Sequence, residues 1–163
     1  MAVVDLLDIP EVLPTGTSLA GLDLGEKTIG VAVADVSRLV ATPSETLKRV
    51  KFTRDAEALF RLMDNRGVGG LVIGLPVNMD GSEGPKSQSA RAFARHLLRL
   101  RELPIAFWDE RLSTAAVSRM LIGEADVSRS RRAALVDKAA AAWILQGALD
   151  RLRAGKLNPT TAL

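Results

Sequence analysis

The sequence predicts an α/β fold on a mixed central sheet, and three observations carry that prediction. Three strand-like segments near the start follow one another across short turns. Continuous apolar runs then alternate with stretches of helical period. The chain closes on one long helical segment.

Taken in order, Leu19 to Leu24 is the first strand and Thr28 to Ala34, rich in β-branched residues, the second, joined by Gly25, Glu26 and Lys27. The segment Arg38 to Leu47 holds a third short strand interrupted at Pro43, so the sheet begins as an antiparallel three-strand meander. Thr53, with Glu57 nearby, reads as a helix N-cap. Ala56, Leu59, Phe60 and Met63 follow at helical spacing, and Asn65-Arg66-Gly67 ends that helix. GLVIGL at Gly70 to Leu75 is a strand buried on both faces. PVNMDGSEGPKSQSA carries Asp-Gly and Gly-Pro turn signals and leads into a helix ending near Leu100. Ile105 to Trp108 is another buried strand, Ser113 to Ile122 another helix, and about Arg131 to Arg153 the closing helix. The expected order is βββαβαβαα, with helices on both faces of the sheet. Residues 1–17 read as a flexible or surface-packed arm, 18–153 as the domain and 154–163 as a tail.

At 163 residues, with 47% hydrophobic and 25% charged residues, the chain is sized for one domain with its own core. The absence of cysteine excludes disulfides, zinc–thiolate sites and thiol catalysis. His96 is the single histidine, which excludes a multi-histidine metal site. Any bound metal must therefore use oxygen ligands, as magnesium, manganese and calcium do. No apolar run reaches the ~20 residues that span a bilayer. The N-terminus carries Asp5, Asp8 and Glu11 and no basic residue, so a cytoplasmic location and no membrane partner are expected.

Three acids adjoin apolar elements: Asp23 near the end of the first strand, Asp109 or Glu110 in the WDER stretch, and Asp137 near the start of the last helix. Neighbouring strand residues point to opposite faces, so Asp109 and Glu110 cannot share a site unless the strand ends there. Asp137 shares a helix face with Ala140, Ala141, Ile144, Leu145 and Ala148, an apolar face that should pack on the sheet. Carboxylates turned inward together repel one another and need a counter-charge. A pair of divalent ions about 3.5–4 Å apart would supply it and could activate water for phosphodiester hydrolysis. Each acid also has a plain reading: a turn or cap for Asp23, pairing of Glu110 with Arg111 or Arg119, and pairing of Asp137 with Arg132 or Lys138.

The net charge is +3, so the placement of the basic groups matters more than their sum. SRSRR, with Arg129, Arg131 and Arg132, lies just ahead of Asp137. Arg91, Arg95 and Arg99 recur every four residues, and Lys86 precedes them. Such groups, with Arg111, can neutralise phosphates without reading sequence, or can simply form solvated faces. Aromatic residues are only 4%, too few for stacking platforms; Trp108 and Trp143 are read as packing residues and His96 as a helix-surface residue.

GLDLGEKTIGVAVAD, ATPSETL, VIGLPVNMDGSEGPKSQSARAFARHL, WDERLSTAAV and VDKAAAAWILQGALD resemble, in order and spacing, the YqgF/RuvX family over about Leu19 to Leu152. These Holliday-junction-resolvase-like proteins are generally described as pre-16S rRNA nucleases. The resemblance implies a ribonuclease H-like fold and a metal-dependent nuclease using Mg2+ or Mn2+. It maps the family's acidic site onto Asp23, Glu110 and Asp137. The implied partner is RNA, as the 16S rRNA precursor or a pre-ribosomal particle, with 5′-end processing as the task.

Other readings stand beside it. Holliday junction resolution on branched DNA would require a symmetric dimer, for which the sequence shows no interface. A non-catalytic RNA- or ribosome-binding factor would have no need of three intact acids. Actin-like sugar kinases and ATPases also open on a GLDLG-type hairpin, but they need two such subdomains, and this chain has one hairpin.

Overall fold

The computed structural model describes residues 3–112 and 129–157, with the backbone path alone described for 129–136 and 156–157. The expected helix at Ser113 to Ile122, Arg119, the side chains of Arg129, Arg131 and Arg132, and the tail beyond Leu157 lie outside the described residues.

The first three strands, β1 (Ser18–Leu24), β2 (Thr28–Ala34) and β3 (Ala41–Lys48), form the antiparallel meander that the short turns predict. Two more strands, β4 (Val68–Leu75) and β5 (Ile105–Asp109), complete a mixed sheet of order β3-β2-β1-β4-β5. β4 runs parallel to both β1 and β5. β3 does not stop at Pro43. The register steps there, with Val31 opposite Glu45 and Ala32 opposite Pro43. A bulge on an edge strand accommodates a residue that has no N–H to donate.

Strand alternation divides the core in two. One sheet face presents Ala20, Leu22, Ile29, Val31, Leu71 and Ile73 to helices α2 (Phe52–Arg66) and α3 (Pro85–Leu100), which answer with Leu59, Met63, Phe93 and Leu97. The other face presents Leu19, Ala32, Ala34, Val72 and Trp108 to α4 (Arg129–Leu157), which answers with Ala141, Ile144, Leu145 and Ala148. Helices therefore cover both faces, as the apolar runs of β1 and β4 require.

The α4 contact is unusually close because the sheet offers glycine where the helix crosses it. A Cβ built on Gly21 would stand 2.7 Å from Leu145 Cβ, and one on Gly74 2.5 Å from Ile144 Cδ1. One on Gly30 would stand 2.0 Å from the Asp137 carbonyl oxygen, a backbone atom that cannot swing aside. From the helix side the Ala141 carbonyl oxygen also stands 2.9 Å from the Gly21 position.

Three expectations change. Thr53 is not the N-cap of α2: it lies inside the helix, which begins at Phe52 with Lys51 at the cap position, and the buried Asp55 carboxylate accepts the Val50 N–H at 3.0 Å. Trp143 is exposed, because it shares the outward stripe of α4 with Gln146 and Asp150. The N-terminal arm is no loose appendage over its described residues. Val4 N–H donates to the Ile105 carbonyl at 2.9 Å, covering the β5 edge, and the short helix α1 (Ile9–Val12) sinks Ile9 completely into the α4-side core.

Overpacking a closed backbone contact costs about 1–3 kcal/mol. Gly30→Ala should lower the unfolding free energy by about 2 kcal/mol or more in chemical denaturation. A loss under about 0.5 kcal/mol would show that the helix seat is not tight.

Candidate active site

β1 carries Leu19, Gly21 and Asp23 on the α4 face, and Asp23 is buried with 8% of its surface exposed. Its antiparallel partner is Gly30 on β2. On its other side Leu22 pairs with Ile73, so Gly74 follows on β4 as Asp23 follows on β1. The central acid thus sits between two positions without side chains.

Each of those positions is roofed by another acid. The Asp137 backbone rests on Gly30, and the Thr28 hydroxyl donates to the Asp137 carboxylate. Glu110 opens the single 3-10 turn Glu110–Leu112 that follows β5, and its Oε1 lies 3.1 Å from where a Gly74 Cβ would be. Asp137, Asp23 and Glu110 therefore stand in a row across β2, β1 and β4, on strands about 4.8 Å apart. They form a row rather than a cage: among the described residues no group of three acidic or histidine side chains closes around a single point. The Thr28 hydroxyl holds the outer carboxylate at its place.

Asp109 is directed elsewhere. Alternation turns it to the face opposite Trp108, where the Arg111 guanidinium donates to it at 2.6 Å through Nη2 and 3.1 Å through Nε. That pairing holds its carboxyl below the usual carboxylate range.

The basic candidates separate. Lys86 is exposed in the first turn of α3. Arg91 is engaged inside the chain: it grips Glu83 with two bonds of 2.7 Å and lies 4.9 Å from the Phe107 ring centroid. Arg111 is engaged likewise, on Asp109 and on the carbonyls of Asn78 and Met79. Arg95 and Arg99 are exposed. Trp108 is buried, as expected of a core residue, with its indole packed on Gly147.

Comparisons with known proteins bear on the family and the fold. The family model described as RuvX, Holliday junction resolvase, matches residues 17–151. The chain belongs to the RuvX family. Among its relatives, the "Putative pre-16S rRNA nuclease" of Phenylobacterium zucineum is 70% identical over 154 residues, covering 94% of this chain and 99% of that protein. The protein of the same name from Rhodospirillum rubrum is 60% identical over 152 residues, covering 93% and 94%. Among solved structures, the Thermus thermophilus RuvC complex with a Holliday junction substrate covers 85% of this chain and 96% of its own at 14% identity, with a TM-score of 0.50. That likeness shows a shared ribonuclease H-like fold.

Within this RuvX domain the donor set suits a hard divalent cation, being all oxygen, with glycine on both sides of the central carboxylate leaving room beside it. Thr28, Gly30 and Gly74 are the site residues that motif reading passes over. Thr28 looks like an ordinary β-branched strand residue, and a glycine's value as a seat for a distant helix shows only in three dimensions.

Because the folded carboxyl of Asp109 titrates below its unfolded value of about 3.9, its contribution to stability is present above that pH and is lost as the pH falls through the lower folded midpoint. A carboxyl NMR titration should find Asp109 below that value, and Arg111→Ala should move it upward. An unmoved midpoint would refute the pairing.

Proposed function

We propose that this chain is a metal-dependent nuclease that hydrolyses RNA phosphodiester bonds and processes the 5′ end of the 16S rRNA precursor in the cytoplasm, on RNA or on a pre-ribosomal particle. The observation that carries the reading is the row of Asp23, Glu110 and Asp137 over Gly30 and Gly74, in a family whose relatives bear the pre-16S rRNA nuclease name.

On this reading Mg2+ or Mn2+ is held by Asp23 with Glu110 and Asp137. When bound, such ions lower the pKa of water and offset charge on the leaving oxygen. The chain supplies the rest. Buried on β1, Asp23 is held rigidly by strands on both sides. The Thr28 hydroxyl fixes one oxygen of Asp137. Ile144, fully buried against Gly74, closes the floor of the site to water. Lys86, with Arg129, Arg131 and Arg132 at the start of α4, supplies positive charge for the phosphate backbone.

The description of the matching family favours one second reading, cleavage of branched DNA at a Holliday junction. The purified protein should cleave a 16S precursor in Mg2+ or Mn2+, and Asp23→Asn should reduce this by at least about a hundredfold, the scale on which loss of one charge-stabilising group acts. Its melting temperature should stay unchanged or rise, since a buried charge is removed. Full activity of Asp23→Asn would sink the mechanism. Cleavage of a four-way DNA junction but not of the precursor would favour the second reading.

A further inference from the structure

The segment from Pro76 to Gly84 leaves β4 beside the candidate site and returns to α3 as a tightly tied loop. Asn78 N–H donates to the Ser82 carbonyl and Gly81 N–H to the Asn78 carbonyl, each at 2.9 Å, with Gly81 at a φ of +90°. The Asp80 carboxylate accepts the Ser82 N–H at 2.9 Å and the Ser82 hydroxyl at 2.6 Å. Ser87, fully buried, ties the loop's start by donating to the Pro76 carbonyl at 2.6 Å. Its backbone is tied within itself, and among the described residues a side chain just past β5 ties it to the end of that strand.

That side chain is Arg111. Its Nη1 donates to the Asn78 and Met79 carbonyls, each at 3.3 Å, while Nε and Nη2 fork onto the Asp109 carboxylate. Its own N–H donates to Asp109 Oδ1 at 2.9 Å. Between the two anchored residues, 109 and 111, stands Glu110, with its carboxyl against Gly74. A guanidinium has five N–H donors in a fixed plane. Here that plane is spent on orienting backbone and a neighbouring carboxylate, which is what a planar bidentate group does better than a lysine ammonium.

We infer that Arg111 is a positioning residue rather than a phosphate contact: by clamping the Asn78–Met79 turn to Asp109, it fixes the 3-10 turn that aims Glu110 at the metal position. The inference rests on the metal-dependent nuclease reading and deepens it.

A phosphate-binding arginine and a positioning arginine leave different traces. Loss of a phosphate contact weakens nucleic-acid binding and lowers the salt slope of log Kd by about one. Loss of a residue that orients a metal ligand costs about 10–100-fold in metal affinity or activity. The experiment compares the wild-type chain with Arg111→Ala, Arg111→Lys and Asp109→Asn. It measures Mn2+ affinity by electron paramagnetic resonance, RNA binding across a salt series in EDTA, and kcat and KM in Mn2+.

The expected result for Arg111→Ala is Mn2+ affinity and kcat each lower by about tenfold or more, with KM and the salt slope unchanged. Arg111→Lys should not rescue it, and Asp109→Asn should reproduce much of the loss, the double variant adding little. A lower salt slope with unchanged Mn2+ affinity would overturn the inference and make Arg111 a phosphate contact. Unchanged values throughout, or full rescue by lysine, would overturn it as well. The Mn2+ and salt measurements need no turnover. Wild-type protein that binds Mn2+ but cleaves nothing would therefore count against the nuclease reading alone, and wild-type protein that binds no Mn2+ would remove the site and the clamp together.

Discussion

The close seat of α4 on the sheet is the constraint on which the rest of the molecule depends. Three positions where the helix crosses, Gly21, Gly30 and Gly74, have no side chain, and a methyl group at any of them would meet Leu145, Asp137 or Ile144 at 2.7 Å or less. The seat is held by apolar burial: Ala141, Ile144, Leu145 and Ala148 are inaccessible to solvent. Fully burying an isoleucine or leucine is worth about 1.5–3 kcal/mol. That contact decides how far Asp137 stands from Asp23. A larger residue at Gly30 would lift the acid-bearing turn of the helix away from the sheet end.

The polar part of the site is built on this apolar one and works against it. Placing several carboxylates at one sheet end takes them partly out of water, which costs stability. The chain offsets this by dividing the duties of its acids. Asp23 is carried rigidly inside the sheet, while Asp137 is tied by the Thr28 hydroxyl at the margin. Asp109 takes no place in the row and binds Arg111, which leaves Glu110 to face inward. Sites that give up stability for pre-set charge are a common compromise in proteins.

Much of this was legible in the sequence, for identifiable reasons. The GEK turn between two β-rich runs marked the β1–β2 hairpin. Strand parity kept Asp109 and Glu110 from sharing a face, and the family resemblance pointed to Glu110. Helical period put Asp137 on the inward face of the closing helix with Ala140, Ala141 and Ile144. What could not be read was contact between distant segments. Nothing local in Ile9 says that an arm residue fills the core, and nothing in Gly30 says that a helix more than a hundred residues later will rest on it. Trp143 was misread because its size suggests a core residue, although its period, shared with Gln146 and Asp150, points outward. Nor does composition show that the Arg91 and Arg111 guanidiniums pair with the chain's own Glu83 and Asp109.

The central claim is that this helix seat lines three separated acids along one sheet end, where Asp23 and a neighbouring acid hold a cation. The most direct test is a crystal of the full chain soaked in Mn2+ and measured for anomalous scattering. The account predicts a peak bound by the Asp23 carboxylate together with Glu110, Asp137 or both. A peak confined to other residues, or none at millimolar Mn2+ with the three carboxylates well ordered, would contradict it.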